Sequence, residues 1–506
     1  MFRRLAGPLA AAALLALSAC SPAATDADAS GDPVAGGTLD VVRANPFEGF
    51  ELDKQTLNSS YQISQAVIEP LIRTSGDGTE LVPGLATEWT FNDDSTVLTL
   101  TLNPDATFSD GSPVTAADVA FSVDVWKQGA NYGATYSAVE ATKVVDDHTI
   151  ELHLVAPDTT FPVYLSWAVA GVVPKDFGGR TAQAFWKQPV GAGPYTVSTW
   201  STNGEVVLER SDHYYREDRP YVDEIVSTFA SDPNSIVLRL QSGEIDTADE
   251  ILPVTADSLP EQNVQAESEH LTPLLLMNTQ DPALSDPAVR RAIGYAIDYD
   301  AIVSTALRGY GVVPTGALPT NSPNWAPPSE PYFSQDAAQA QELLDGASSA
   351  PAKLTFTYPN DPSSTLMAQI IQENLAAVGI TVDLRSADAS TNFASISGGD
   401  YQLGIFAYNA ISPDVADPAW YVAATSSMFT GAPVDDLIGD LTEYAAAATE
   451  DDKKSIVTRM QDRWSEQAPF LALAHISALE AVGDDAHGVD ITPWGTYYFD
   501  DVWTTE

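Results

Sequence analysis

Cysteine is almost absent from this chain: its 506 residues include a single one, Cys20. One cysteine cannot form an internal disulfide or a multi-cysteine zinc or iron–sulfur site, so the core alone must stabilise the fold. Hydrophobic residues make up 44% of the chain, which is enough for a sizeable core. At about 100–200 residues per domain, the length suggests roughly two to four domains.

Basic residues are scarce as well, with 23 Lys and Arg against 70 Asp and Glu, so the net charge is −47. A field of this sign repels phosphates, and we therefore expect no nucleic-acid partner. The acidity has two interpretations, solubility in an exposed or saline setting and attraction of cationic peptides. The first is the simpler one, and composition favours it.

Long hydrophobic runs are missing too, apart from residues 5–19, which follow a pair of arginines. That stretch is shorter than the roughly 20 residues that span a bilayer, and small polar residues follow it at once, as in a secretory signal peptide. It ends in the sequence LSAC at residues 17–20, which resembles a bacterial lipobox, where the cysteine thiol receives diacylglycerol. We therefore predict a lipoprotein signal peptide over residues 1–19, and lipidation, including palmitate, at Cys20.

Residues 20–37 are small and polar and contain almost no large hydrophobic side chain. Such a composition cannot offset chain entropy by burial, so we predict a flexible tether. Two acyl chains hold a protein stably on a membrane. We expect the body to be lipid-anchored at the cell membrane, on its extracytoplasmic face.

Sequence signatures of catalysis are also missing. The chain has no Gly-x-Ser-x-Gly, Ser-x-x-Lys or His-Glu-x-x-His sequence, and no Gly-x-x-x-x-Gly-Lys loop for nucleotide phosphates. Any transport energy must therefore come from another subunit. His148 and His153 lie on opposite faces of a predicted strand and cannot chelate one metal together. We expect no enzyme, no metal site and no cofactor, although a glycosidase built on a carboxylate pair stays open.

Alternation of polar and apolar residues predicts strands over residues 96–102 and 148–154. Between them, Thr115 is placed to cap an amphipathic helix that runs to Trp126. These elements together predict an α+β lobe over residues 75–185.

A second pattern indicates a βαβ unit. Residues 353–358 and 380–384 alternate as strands do, and apolar residues recur at helical spacing over 367–378. Such a crossover makes the two strands parallel, and ligands of open α/β sheets bind at the carboxyl ends of the strands. We assign this unit to an α/β lobe over residues 271–485.

Several segments together resemble family 5 of the extracytoplasmic solute-binding proteins, the oligopeptide- and dipeptide-binding lipoproteins of ABC importers. Their order and spacing agree over nearly all of the chain after the signal peptide. The segments are LATEW at 85–89, FSDGSPVTAADV at 108–119, GAGPY at 191–195, DHYY at 212–215, GEID at 243–246, VRRA at 289–292 and AID at 296–298.

The resemblance implies an α/β architecture, the type II periplasmic-binding-protein fold, in which two α/β lobes close about a hinge and an extra α+β lobe is inserted in the first. The hinge is expected near residues 265–275 and 480–490. The lobes are assigned as lobe I, residues 38–74, 186–270 and 486–506; the inserted lobe, residues 75–185; and lobe II, residues 271–485.

The resemblance also implies a function: capture of extracellular peptides by a monomeric clamp, and their delivery to a membrane permease and its ATPase. Other solutes bound within the family, such as oligosaccharides, nickel complexes, haem and opines, remain alternatives. A sensor or adhesin using the same clamp, and a secreted hydrolase, are the other classes considered.

In peptide-binding members of the family, a carboxylate in a D-x-x-D-P loop after a strand receives the α-ammonium group of the ligand. The matching sequence here is DVADP at residues 414–418, after the predicted strand over 403–408. Asp414 is therefore the expected ammonium partner. The loop before it is longer than usual for the family, so a surface position for Asp414 is the alternative.

Five further residues are candidates for ligand contact. Tyr408, Asn409 and Trp420 flank the loop and offer an aromatic surface to ligand side chains. Ser60 and Tyr61 are expected between a strand and a helix of lobe I, where polar groups can meet a ligand. The alternatives are core packing for Trp420 and ordinary helix capping for Ser60.

Overall fold

The computed structural model describes residues 33–505, apart from positions 77, 79, 203, 231, 323, 349, 410–415, 427–428 and 493. Cys20 and most of the predicted tether therefore lie outside the described residues, as does Asp414. Val34–Glu506 form one compact unit.

The strands, numbered along the chain, are β1 (Thr38–Arg43), β2 (Ile72–Thr74), β3 (Leu81–Pro83), β4 (Ala86–Phe91), β5 (Val97–Leu102), β6 (Val139–Asp146), β7 (Thr149–Leu154), β8 (Tyr195–Trp200), β9 (Val206–Arg210), β10 (Glu224–Phe229), β11 (Thr247–Asp249), β12 (Val264–Met277), β13 (Gly311–Val312), β14 (Lys353–Pro359), β15 (Thr381–Ala387), β16 (Leu403–Asn409), β17 (Phe470–Ala472), β18 (His475–Val482), β19 (Ala486–His487) and β20 (Trp503–Thr504).

The helices are α1 (Asn58–Gln65), α2 (Ala116–Lys127), α3 (Gly133–Tyr136), α4 (Phe161–Tyr164), α5 (Ala182–Lys187), α6 (Pro233–Gln241), α7 (Pro253–Ala256), α8 (Pro287–Ala296), α9 (Tyr299–Ala301), α10 (Ala337–Gly346), α11 (Pro362–Ala377), α12 (Ala389–Ser397), α13 (Ala416–Thr425), α14 (Asp435–Ala446) and α15 (Glu450–Gln467).

One large mixed sheet runs through both predicted α/β lobes, in the order β15-β14-β16-β12-β18-β11-β1-β10-β9-β8. The long strand β12 joins its two halves, because its first residues pair with β18 and its last residues with β16. The pairing of β12 with β18 shifts register between Glu267 and Leu271. Such irregularities bend strands, and this one lies inside the predicted hinge, which stays a prediction.

The second sheet belongs to the predicted inserted lobe and has the order β4-β5-β7-β6. Alternate side chains of β5 and β7 are buried, as their sequence period predicts. Thr115 precedes α2, and its backbone N–H donates to Asp118 Oδ2 at 2.8 Å, so the predicted cap is confirmed.

The predicted βαβ unit is confirmed: β14 and β15 are parallel neighbours, and α11 crosses between them. A hydrophobic core formed within residues 274–476 packs around this unit, and a second core surrounds the smaller sheet. A third core packs against β1 and β8–β10. The lobe boundaries themselves stay a prediction.

One local expectation is wrong. Ser60 and Tyr61 do not lie between a strand and a helix but within the first turn of α1, whose N-cap is Leu57. The helix ends at Gln65, well before Pro70. Proline disfavours helical geometry in the residue before it, and the chain turns instead into an isolated bridge between Pro70 and Gly171.

Candidate functional site

A cavity of about 370 Å³, here called the cleft, lies where the two halves of the large sheet meet. Its walls come from β12, β14, β16 and β18, from the first turn of α11 and from residues 250–253. Ligand pockets usually measure roughly 300–1,000 Å³. The cleft therefore has the size and the position of a binding site between two lobes.

Lobe II presents the carboxyl ends of two parallel strands to the cleft, where Pro359 ends β14 and Ala407 lies near the end of β16. Asp361 is the N-cap of α11, and its Oδ1 accepts the N–H of Ser364 at 2.9 Å. The ends of β14 and β16 and the start of α11 thus meet at one edge of the sheet. Backbone amides and carbonyls of these segments face the cleft there.

An acidic group, here called the hinge wall, consists of Asp249, Glu250 and Glu480. Glu250 and Glu480 line the cleft, and Asp249 lies directly behind them because β11 pairs with β18. Asp361 adds a further carboxylate. Among the described residues that line the cleft there is no Lys, Arg or His. The cleft is therefore bordered by acidic side chains and by no basic one among the described residues.

Burial dominates the electrostatics of the hinge wall. It raises the pKa of Asp249 to about 7. Burial also raises the pKa of Glu480 well above its ordinary value, and the Asp249 carboxyl raises it further. Burial raises the pKa of Glu250 too. These carboxyls hold protons at pH values where exposed carboxyls have lost them.

A smaller cavity of about 40 Å³, here called the aromatic pocket, is lined by α1, by residues 166–169 and by the C-terminal segment 494–498. The Tyr61 hydroxyl donates to the Gln55 carbonyl at 2.6 Å and lies 2.5 Å from the Tyr132 hydroxyl. The buried Nε1–H of Trp167 finds no acceptor among the described residues. The pocket's aromatic side chains are those of Tyr61, Tyr132, Trp167, Trp494 and Tyr498.

The cleft and the aromatic pocket share one stretch of chain. Gly495 lines the cleft, whereas its neighbours Trp494 and Thr496 line the aromatic pocket. The Asn58 side-chain amide of α1 donates to the Trp494 carbonyl at 2.7 Å and holds this stretch in place. A ligand in the cleft is therefore separated from the aromatic pocket by a few residues only.

The predicted inserted lobe reaches across to lobe II at residue Thr159. Its N–H donates to the Ala445 carbonyl at 3.0 Å, and its hydroxyl donates to the Ala447 carbonyl at 3.1 Å. Tyr164 packs against the core of lobe II as well as against the core of the smaller sheet. These contacts hold lobe II and the inserted lobe together away from the hinge.

The predicted contact residues fall in different places. Tyr61 lines the aromatic pocket. Ser60 is fully buried, and its Oγ accepts the N–H of Glu48 at 3.2 Å, so in this structure it supports the loop before α1. Tyr408 and Asn409 end β16 opposite Thr272 and Leu271 of β12.

Leu271 lines the cleft, so the end of β16 comes to its edge. Trp420 is part of α13, and Asp414 lies outside the described residues, just before that helix. The ligand roles of these residues stay predictions.

Sequence reasoning missed the hinge wall. A signal existed at Glu480, a charged residue between two apolar neighbours, Leu479 and Ala481. Such a residue has to be solvated, paired or functional when its strand is buried. Nothing in the sequence indicated that Asp249 lies beside it, since only sheet pairing brings the two together.

In the described part of the chain, no group of three or more His, Cys, Asp or Glu residues is arranged to hold a metal ion. No helix in that part combines the length and the apolar character that crossing a membrane requires.

Two α/β halves that share strands, with a ligand-sized cleft at their junction, define a two-lobed solute-binding protein. Residues 80–429 match the profile of the bacterial extracellular solute-binding proteins, family 5 Middle, and the chain belongs to this family. The predicted family is thereby confirmed. The chain is the solute-binding component of an ABC importer, and its family binds solutes rather than catalysing reactions.

The chain is similar to the "Probable di/tripeptide-binding protein 5" of Pseudomonas aeruginosa (strain UCBPP-PA14), with 24% identity over 92% of this chain and 95% of that protein. Solved structures confirm the type II periplasmic-binding-protein fold. The periplasmic binding protein DppA from Helicobacter pylori, in complex with the peptide STSA, superimposes with a TM-score of 0.80 at 22% identity, covering 94% of this chain and 99% of that one.

The PBP AgaA from A. tumefacien R10, in complex with agropinic acid, gives a TM-score of 0.77 at 24% identity, covering 93% of this chain and 99% of that one. The same fold thus carries a peptide in one relative and an opine in another.

Proposed function

We propose that this chain captures extracellular peptides in the cleft by closure of its lobes and delivers them, as a monomer, to a membrane permease and its ATPase. The observation that carries the proposal is the cleft itself, placed at the pivot between two lobes and bordered by the ends of β14 and β16. Closure there buries the ligand and changes the surface that a permease meets.

Backbone recognition suits a peptide. An extended peptide can bind main-chain groups at strand ends, and neighbouring pockets then receive its side chains. The cleft offers such strand ends together with the first turn of α11. The aromatic pocket beside it suits one side chain of the ligand, and the orphan Nε1–H of Trp167 is a donor for it.

Asp414 is proposed to receive the ligand's terminal ammonium group, because it follows the end of β16, which borders the cleft. A charge-assisted hydrogen bond in a closed, water-poor site discriminates strongly for a free amine. Tyr408, Asn409 and Trp420 are proposed to border the ligand near the same end. This set of roles makes the peptide's N-terminus face lobe II.

Membrane attachment through Cys20 is the second part of the proposal. It rests on the sequence LSAC at residues 17–20 and on the small polar residues that follow. The test is metabolic labelling with palmitate and cell fractionation of the chain and of its Cys20→Ser variant. Label and membrane association are expected only for the natural chain, and equal membrane association of both would contradict the anchor.

A thermal-shift screen of the full chain tests the peptide proposal. The ligands are free-amine and N-acetylated peptides of two to eight residues, with an opine, an oligosaccharide and a nickel complex as controls. A ligand at about 100 times its Kd adds about 2.7 kcal/mol to the free energy of unfolding. Stabilisation by an opine, sugar or metal complex alone would keep the fold and replace the substrate.

The Asp414→Asn variant sharpens this screen. It is expected to weaken binding of free-amine peptides by roughly 10-fold or more, equivalent to about 1.5–3 kcal/mol, and to leave acetylated peptides unchanged. Asp400→Asn, at an exposed position of the same lobe, is the matched control. Equal losses for both peptide types would remove Asp414 from the site.

A further inference from the structure

The hinge wall places two carboxyl side chains next to each other inside the protein. Residues of β11 and β18 pair in antiparallel register, Ala248 with Ala481, so that Asp249 and Glu480 are cross-strand neighbours. Their exposed fractions are only 2% and 1%. Two like charges this close and this buried are unfavourable unless a cation or a proton intervenes.

Hydrogen bonding satisfies the hinge wall only in part. Glu480 Oε1 accepts the N–H of Glu250 at 3.1 Å. Glu480 Oε2 is buried and receives no N–H or O–H from the residues that the structure describes, although its side chain lines the cleft. The neighbouring Asp249 is itself a carboxyl and can bond to Glu480 only by sharing a proton.

The surroundings supply little positive charge. Tyr497 donates its hydroxyl to Asp249 Oδ1 at 3.1 Å, and Asn45 donates to Glu250 Oε2 at 3.4 Å. Glu48 adds negative charge near Glu250. Arg43 of β1 is the register partner of Asp249, and its charge opposes the burial that raises the pKa of Asp249. Its guanidinium donates to hydroxyl and carbonyl oxygens of lobe I, and no ion pair joins it to the hinge wall within the described residues.

The backbone of Glu250 also has an unusual conformation. Its φ is +55°, in the left-handed region that residues other than glycine seldom adopt. The bond from its N–H to Glu480 holds it there and keeps the residue at the cleft. Such conformations persist where the surrounding structure holds them, and they concentrate at ligand sites.

We infer that the hinge wall is a second cation-binding position of the cleft, at which Glu480 and Glu250 receive an ammonium or guanidinium group carried on a side chain of the ligand. This inference rests on the proposed function and makes cationic peptides the preferred substrates. The proposed cation is organic, because the ligand is a peptide that carries it on a side chain. It is separate from the terminal ammonium assigned to Asp414.

Binding of such a cation displaces the proton that the carboxyl pair shares, and this proton passes to the buffer. Since burial raises the pKa of Asp249 to about 7, proton release is greatest in solutions below neutrality. A neutral side chain in the same place leaves the proton where it is.

The experiment uses the full chain, purified in detergent, and three matched tripeptides, Ala-Lys-Ala, Ala-Gln-Ala and Ala-Glu-Ala. Calorimetry at pH 6.5 in two buffers of different ionisation enthalpy measures affinity and proton release together. We expect Ala-Lys-Ala to bind at least 10-fold tighter than Ala-Gln-Ala, as one charge-assisted bond allows, and to release protons. Ala-Glu-Ala is expected to bind most weakly.

The Glu480→Gln variant is expected to bring the affinities of Ala-Lys-Ala and Ala-Gln-Ala within about 2-fold of each other. Glu261→Gln, at an exposed position of lobe I, is expected to behave as the natural chain. If Glu480→Gln fails to fold, the relative affinities of the three peptides for the natural chain still test the inference.

The outcomes separate the two proposals. Equal binding of the three peptides overturns the cation inference and keeps the peptide function. Binding of no peptide overturns the peptide function, and spermidine then tests the hinge wall by itself. Spermidine binding that Glu480→Gln abolishes supports the inference, whereas no binding of spermidine, or binding that the variant leaves unchanged, overturns it.

Discussion

Two buried acidic clusters differ in one respect, an arginine that donates directly to a carboxylate. At Asp500 the Arg73 guanidinium donates two bonds of 3.0 Å, one to each carboxylate oxygen, and the Tyr214 hydroxyl donates a third. At the hinge wall, Asp249 and Glu480 have no such partner among the described residues. Both clusters are almost fully buried, so burial alone does not explain the difference.

The pKa values reflect this contrast. Burial by itself would raise the pKa of Asp500, but the charge and hydrogen bonds of Arg73 outweigh it and lower the pKa. At Asp249 burial prevails and the pKa rises to about 7. Arg73 and Tyr214 thus satisfy Asp500, although Glu69 Oε2 in the same cluster finds no donor among the described residues. At the hinge wall the unsatisfied oxygen is Glu480 Oε2, and Glu480 lines the cleft. That unsatisfied capacity is typical of a position that meets a ligand.

The largest effect is expected from Arg73→Met, which removes the directly bonded cation of Asp500 and Glu69 and leaves only Arg216, 3.9 Å from Asp500 Oδ2. The free energy of unfolding should fall by about 3–5 kcal/mol, as for other broken buried ion pairs. Urea unfolding at pH 7 measures it. Lys54→Met is the control, because its pair with Glu51 is exposed and contributes under about 1 kcal/mol. A loss at Arg73 no larger than that of the control would contradict the comparison.

A smaller effect of opposite sign is expected from Glu480→Gln. The raised pKa values mean that folded hinge-wall carboxyls hold protons that the unfolded chain releases, so the natural chain loses stability from about pH 4 to above pH 7. The variant removes one carboxyl and donates an amide N–H to the other. Its free energy of unfolding should exceed that of the natural chain by about 1–3 kcal/mol at pH 8.

At pH 5 the same variant should gain little free energy of unfolding, because the shared proton already neutralises the pair of Asp249 and Glu480. Urea unfolding at both pH values measures the difference, with Glu261→Gln as the control that follows the natural chain. A loss of stability at pH 8 would show that Glu480 is needed as a charge in the free protein and would break the contrast between the clusters.

The smallest effects are expected from a matched pair of tyrosine variants. Tyr497→Phe removes the donor to Asp249, and Tyr214→Phe removes a donor to Asp500. Each should lower the free energy of unfolding by about 1 kcal/mol. For Tyr497→Phe the loss should be larger at pH 8 than at pH 5, because the Tyr497 hydroxyl favours the ionised form of Asp249. For Tyr214→Phe the loss should be equal at the two pH values, because Asp500 is ionised at both of them. If the two variants lost stability with the same pH dependence, the predicted difference between the two acidic clusters would be contradicted.

Local features of the fold were predictable because they depend on neighbours in sequence. The alternation in β5 places Leu98 and Leu100 in the core, and Thr115 with Asp118 caps α2. By contrast, Ser60 and Tyr61 were expected between a strand and a helix, but they lie inside α1, which begins at Asn58. For the site, only Tyr61 was both predicted and found to line a described cavity.

The sequence by itself determined the class of this protein: short-range patterns define its strands, helices and caps, and ordered motifs over most of its length define its family. The tertiary structure alone decided the charge of the cleft. Asp249 and Glu480 belong to strands far apart in the chain, and so do Arg73 and Asp500. Whether a buried carboxyl meets an arginine or a second carboxyl depends on sheet pairing and packing, which bring distant residues together and which no local pattern records.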